Sequence, residues 1–189
     1  MKKLLFPAIA IVVTLTIFSC GKTTTPVTEN PAKETIDSKV VVDSAFILNN
    51  GDYEFGNQFY SSRNGMITKL GCKVASKGNF RVSLWDFITQ NQIAATTINV
   101  TDTTVFIYNS ISPITITANT RYVVSLNNGS LPYYIYFKTP NYIGPSIYPF
   151  TSGSITYIDF REIAAAAPTF PTTVGSQYIF GGVPDIQFE

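Results

Sequence analysis

From about Val40 onward the chain never holds a helical period for ten residues. Its apolar side chains alternate with polar ones in short runs, and Gly, Asn, Pro or Ser ends each run. That pattern predicts half-buried strands. The runs are Tyr53–Tyr60, Met66–Val74, Phe80–Trp85, Ile93–Val100, Thr104–Tyr108, Ile114–Ile116, Tyr122–Leu126, Tyr133–Phe137, Ser154–Phe160 and Tyr178–Phe180, with Asp185–Phe188 closing the chain. Alternation assigns faces: Phe80, Val82 and Leu84 to one side, Arg81, Ser83 and Trp85 to the other. Turn chemistry sits between the runs at Asn49-Asn50-Gly51, Asn64-Gly65, Lys77-Gly78-Asn79 and Asn127-Asn128-Gly129, all residues that tolerate positive φ. Ala164–Ala167 has room for one helical turn before Pro168 and Pro171 stop it. About ten strands at roughly 10-residue spacing predict an all-β fold, an antiparallel β-sandwich of jelly-roll-like form.

Several function classes drop out on composition. The 189 residues carry a net charge of +1, and without Lys2 and Lys3 it is −1, so no basic stripe marks a nucleic-acid partner. There is no histidine, which removes the commonest general base and transition-metal ligand, and with them Ser-His and Cys-His nucleophile pairs. Carboxylate chemistry survives, but no local spacing of the acids picks out a catalytic pair, and Asp159 with Arg161 reads as a surface ion pair. No Asp-rich loop matches a calcium pattern. The expectation is a non-enzymatic protein with no catalytic residue, metal or cofactor.

The first residues read as an address. Met1-Lys2-Lys3 precedes the apolar stretch from Leu4 to Phe18, too short for a stable span and suited to a signal-peptide core. The stretch ends in Ile17-Phe18-Ser19-Cys20, which resembles the bacterial lipobox. The resemblance implies cleavage before Cys20, lipidation of that cysteine and attachment to a membrane through it, each buried CH₂ contributing about 0.8 kcal/mol. Gly21 and Lys22 follow in place of a retention-type Asp, so the expected destination is the cell envelope, and the outer membrane where the cell has one. Residues 20–37, rich in Thr, Pro, Lys and Glu, read as a lipidated flexible tether, because they offer little apolar surface to offset their ordering entropy. The expected organisation is signal peptide 1–19, tether 20–37 and sandwich 38–189. Cys72 then has no disulfide partner and reads as a buried, inert thiol.

Within the sandwich, an ordered series of motifs resembles a known module. Phe55-Gly56-Asn57-Gln58-Phe59 is followed by Gly65-Met66-Ile67-Thr68 and by Arg81-Val82-Ser83-Leu84-Trp85-Asp86. Ser112-Pro113-Ile114-Thr115-Ile116-Thr117-Ala118 and Thr120-Arg121-Tyr122-Val123-Val124-Ser125 complete it. Together they resemble a bacterial extracellular module catalogued as domain of unknown function 4082, over about Tyr53 to Ser125. Ala118-Asn119-Thr120 stands where that family has Ala-Gly-Thr, and no Gly follows Leu84-Trp85-Asp86. The resemblance implies a secreted β-sandwich, often found beside carbohydrate-active or adhesion modules, and it brings no catalytic residues.

The positive chemical signal is aromatic: 11 Tyr and 14 Phe. A tyrosine joins a flat apolar body, suited to the C–H face of a sugar, to a polar tip. In Tyr133–Phe137 the alternation sets Tyr133, Ile135 and Phe137 toward the core and Tyr134 and Tyr136 toward solvent. Tyr142 and Tyr148 fall in the long Pro-rich loop Lys138–Gly153, either a binding loop or a stiff cover over one end of the sandwich. Trp85 is either a rim aromatic or part of a second packed face. The expected function is glycan or envelope-ligand binding through Tyr134, Tyr136, Tyr142 and Tyr148. The alternative is a structural or adhesion module that takes a protein partner by strand addition at an open sheet edge.

Overall fold

The computed structural model describes residues 27–139 and 146–189. Cys20 and Tyr142 lie outside them. The described chain is an antiparallel β-sandwich with one short helix, α1 (Pro31–Ser38). The strands are β1 (Ser44–Leu48), β2 (Tyr53–Ser61), β3 (Gly65–Cys72), β4 (Gly78–Asp86), β5 (Gln92–Val100), β6 (Ile107–Ile116) and β7 (Arg121–Asn127). They continue with β8 (Tyr133–Phe137), β9 (Phe150–Ser152), β10 (Ile155–Ala164), β11 (Thr173–Val174), β12 (Ile179–Gly181) and β13 (Pro184–Phe188). Among the described residues, no helix is long and apolar enough to cross a membrane.

One layer is a seven-stranded sheet in the order β11-β10-β2-β7-β4-β5, with β9 added beside β10. Two three-stranded sheets, β1-β8-β12 and β13-β3-β6, supply the other side. The chain steps from one small sheet to the other through Gly182 and Val183, both at positive φ, and β12 and β13 pack against β2 of the large sheet. The core between the layers is aromatic. Phe55, Phe59, Tyr157, Phe160 and Phe180 are fully buried, and Tyr157 meets Phe180 edge-on at 5.5 Å between centroids.

Most strands lie where alternation puts them; β6 and β1 depart from it, and the short β9 and β11 match none of the expected runs. Thr104–Tyr108 and Ile114–Ile116 are not separate strands: β6 starts at Ile107 and runs through Ile116. Its register against β3 shifts where residues 111–113 swell outward, which breaks the alternation in the sequence. Ser44–Leu48 is a strand that the sequence runs leave out; its burial alternates at every residue, none is fully buried, and its partner β8 supplies the ladder.

Residues 29–37, expected as part of a tether, are docked on the sandwich. Glu29 pairs with Phe188 in an isolated antiparallel bridge, and its buried carboxylate accepts hydrogen bonds from the Ser154 backbone N–H at 2.6 Å, the Ser154 hydroxyl and Arg63 at 2.9 Å. Pro31 then opens α1, a position where its missing N–H costs nothing. Asp185 of β13 receives the first helical N–H groups, Ala32 N at 2.9 Å and Lys33 N at 3.0 Å, and Ala32 and Ile36 enter the core. A carboxylate at a helix N-terminus satisfies both its orphan donors and its dipole. The polar composition of residues 29–38 is therefore that of a docked segment whose acceptors lie about 150 positions away.

Candidate binding site

Alternation along β2, β7, β4 and β10 gives the large sheet an outer face of Glu54, Gln58, Tyr60, Arg81, Ser83, Trp85, Arg121, Val123, Ser125, Asp159 and Arg161. One part of that face is closed. Residues 165–172 cross it: Asn127 Nδ2 donates to Ala165 O at 2.7 Å, Arg161 Nη1 to Thr172 O at 3.1 Å, and Pro171 sits directly over Gly56, where a Cβ would collide with its ring at 2.9 Å. Phe170 packs edge-on to Trp85 at 6.0 Å and covers Val123. Trp85 is thus part of a second packed face, one of the two roles its position in the sequence leaves open.

Beneath and beside this strap, Glu54 is 0% exposed. Its Oε2 accepts from Arg81 Nη2 at 2.6 Å and its Oε1 from the Ser125 hydroxyl at 2.5 Å, while Ser125 Oγ accepts the Trp85 indole N–H at 2.7 Å. Burial pushes the Glu54 carboxyl above the ordinary range, and the Ser125 and Arg81 donors oppose that shift. Both of its oxygens are engaged by side chains that hold the sheet together. Asp159 is held likewise, accepting from Arg161 Nε at 3.0 Å.

The tyrosines expected to form an open platform are mostly covered. Tyr136 is 9% exposed: it pairs with Ala45 on one side and Phe180 on the other, and Ile36 and Val42 join it in the core. Tyr148 is 6% exposed and spends its hydroxyl on Asn57 Oδ1 at 2.8 Å, inside the sandwich; burial drives its pKa far up. Tyr134 is half-buried against Tyr136, with 5.7 Å between ring centroids. Alternation does not foresee this: β1 and β12 flank β8 along its two edges, Phe55 of the large sheet meets Tyr133 at 4.3 Å, and Ile36 of α1 lies on the same cleft as Tyr136. Tyr136 does line a 440 Å³ cleft with Asp37, Lys39, Asp43 and Lys73. Its acids are already committed, however: Asp43 to Lys138 and Thr139, and Asp37 to Lys33. Cys72 is fully buried, and its thiol is pushed up to about 12 by burial, which makes it unreactive.

The open part of the outer face is a cleft of 480 Å³ where β2, β7 and β10 start or end, lined by Tyr60, Asn119, Arg121, Pro149, Thr156 and Ile158. Tyr60 and Arg121 are direct cross-strand neighbours, and Thr156 faces Tyr60 from the other side. The bulge at Ile158 turns an extra apolar side chain into the cleft. Arg121 is held over the Phe87 ring at 5.6 Å, and Arg161 stacks on the same ring at 4.8 Å. An aromatic ring, two apolar side chains, an amide, a hydroxyl and a guanidinium converge on one concavity. Sequence reading missed it: Tyr60 and Arg121 look like ordinary strand-end residues, and 61 positions separate them. No family model matches the chain, and no curated protein matches it.

Proposed function

We propose that the chain is a lipid-anchored protein of the cell envelope, carried on the outer membrane where there is one, whose non-catalytic β-sandwich binds glycan in the Tyr60–Arg121 cleft. The observation that carries the binding part is the cleft itself, with a half-buried tyrosine ring flanked by amide, hydroxyl and guanidinium donors. A sugar needs that combination, a flat apolar surface for its C–H face and several fixed polar groups for its hydroxyls. The anchor part rests on Ile17-Phe18-Ser19-Cys20. The carboxylates that are buried on the outer face are engaged in holding strands together, which supports a binding role over hydrolysis.

Affinity electrophoresis of the full chain in detergent micelles, against neutral and acidic polysaccharides, tests the binding. One glycan class is expected to retard the protein, and Tyr60→Ala is expected to weaken that retardation at least about tenfold with the melting temperature unchanged, a loss of about 1.4 kcal/mol of contact with the ring. Retardation unchanged in Tyr60→Ala, or none with any polymer, overturns the reading. For the anchor, a labelled fatty acid fed to expressing cells is expected to appear on the protein and to vanish in Cys20→Ala, which should leave the membrane fraction. Label retained in Cys20→Ala rules the anchor out.

A second reading has its own observation. β5 and β6 are edge strands of the two layers, and a gap of 310 Å³ lined by Ile93, Ala95, Ile111 and Ile114 runs between them. An extended segment of a protein partner would pair there by strand addition.

A further inference from the structure

The geometry points to an acidic sugar as the ligand of the Tyr60–Arg121 cleft: a uronic acid residue whose carboxylate sits on Arg121 while its ring lies on Tyr60. This rests on the glycan-binding reading of the same cleft. Three observations carry it.

First, Arg121 is the one charged side chain among the six that line the cleft. Second, its guanidinium donates no hydrogen bond among the described residues: its neighbour there is the Phe87 ring, whose centroid lies 5.6 Å from Cζ, and a ring contact leaves the N–H donors available to a ligand. Asp159, two strands away on β10, is taken by Arg161 at 3.0 Å and feels Arg121 only through space. Arg161 in turn is tied to Gln58, Asp159 and the Thr172 carbonyl, so the two arginines on Phe87 are not equivalent. Third, cation–π attraction to Phe87 holds Arg121 beside the cleft without using its N–H donors. The planar fork of a guanidinium matches a carboxylate in a bidentate manner, which a lysine or an amide cannot do.

The remaining lining groups fit the rest of such a residue. Pro149 and Ile158 add apolar surface to that of Tyr60, and the Asn119 side chain and the Tyr60 hydroxyl add polar groups for sugar hydroxyls. Asn119 holds this place from a turn at φ +61°, a conformation that Asn accepts more readily than most residues.

The test uses the full chain in detergent micelles against alginate, polygalacturonate and hyaluronate, each also in its carboxyl-reduced, neutral form. The expected result is binding to at least one polyuronate that falls at least about tenfold on carboxyl reduction, in Arg121→Gln and in Tyr60→Ala, with Arg121→Lys between wild type and Arg121→Gln. Melting curves confirm that each variant is folded. Equal binding of a polyuronate and its reduced form, or unchanged binding by Arg121→Gln, overturns the acidic assignment. If neutral polymers alone bind and do so through Tyr60, the acidic assignment is wrong and the glycan reading stands. If no polymer binds to the folded protein, both fall. Dextran sulfate separates recognition from charge attraction: binding it as tightly as the best polyuronate, independently of Tyr60, would also overturn the proposal.

Discussion

Glu54→Ala is expected to lower the stability of the domain by about 3 kcal/mol, the low end of the cost of breaking a buried ion pair. That corresponds to a fall in melting temperature of roughly 6–12 °C for a domain of this size. Glu54 is fully buried, while the Arg81 side chain keeps 22% of its surface in solvent, which is why the low end applies. Truncation removes the acceptor of Arg81 Nη2 and of the Ser125 hydroxyl together, and leaves the guanidinium under Asn127 and the strap without its counter-charge. Glu54→Gln keeps an acceptor for one of the two donors and is expected to cost less. The informative variant is the double replacement Glu54→Leu with Arg81→Met, which removes both charges and should recover most of the loss, since an apolar pair of similar volume often equals a buried ion pair. Thermal and urea unfolding of wild type, Glu54→Leu, Arg81→Met and the double variant closes the cycle. If the double variant is as unstable as the sum of the single ones, the pair is not the reason for the loss.

Asp185 gives the second large effect, on α1. In Asp185→Ala the amides of Ala32 and Lys33 lose their acceptor, and so does the Tyr108 hydroxyl, which donates to Asp185 at 2.6 Å. Hydrogen exchange over residues 32–38 is expected to accelerate at least about 100-fold, with trypsin cutting at Lys33 and Lys39 while the strands stay protected. Exchange in α1 unchanged from wild type would show that Ile36 and Ala32 alone hold the helix. The same carboxylate carries a pH dependence. Burial raises its pKa to about 6, against an unfolded value near 3.9. Between those values the folded state holds more protons than the unfolded one, so this group's contribution to stability rises as pH falls from 6 toward 4. The stability of wild type relative to Asp185→Asn should therefore grow by roughly 2 kcal/mol between pH 7 and pH 4.5, at about 1.4 kcal/mol per pH unit. A difference that is flat across that range would mean that Asp185 titrates normally.

Local pattern carried most of the fold. Phe80, Val82 and Leu84 are buried in the core, and Arg81, Ser83 and Trp85 lie on the outer face, as their alternation requires. Tyr133–Phe137 has the expected bounds, but alternation says which residues share a face and not whether something covers the other one. Tyr136 and Tyr148 are buried for a reason that alternation does not carry: Ile36 of α1, β12 and Asn57 reach them from distant parts of the chain. α1 itself was invisible because its apolar content is small, and its docking is polar, supplied by Asp185 and, at Glu29, by Ser154 and Arg63. The Tyr60–Arg121 cleft is a product of register, since only pairing of β2 with β7 and β10 makes neighbours of residues that no motif connects.

The docked segment at residues 29–38 also has a mechanical meaning. Tension entering from the N-terminal side meets Glu29 first, then α1, and only afterwards β1. Peeling α1 away and drawing its eight residues straight would release roughly 15 Å of slack, the difference between helical and extended rise per residue. The links that give way are the backbone bridge of Glu29 to Phe188, a carboxylate on Ser154 and Arg63, another on two backbone amides, and the seats of Ala32 and Ile36, and all of them can re-form when the load passes. A sandwich held this way yields at its leader before any strand of the seven-stranded sheet is pulled.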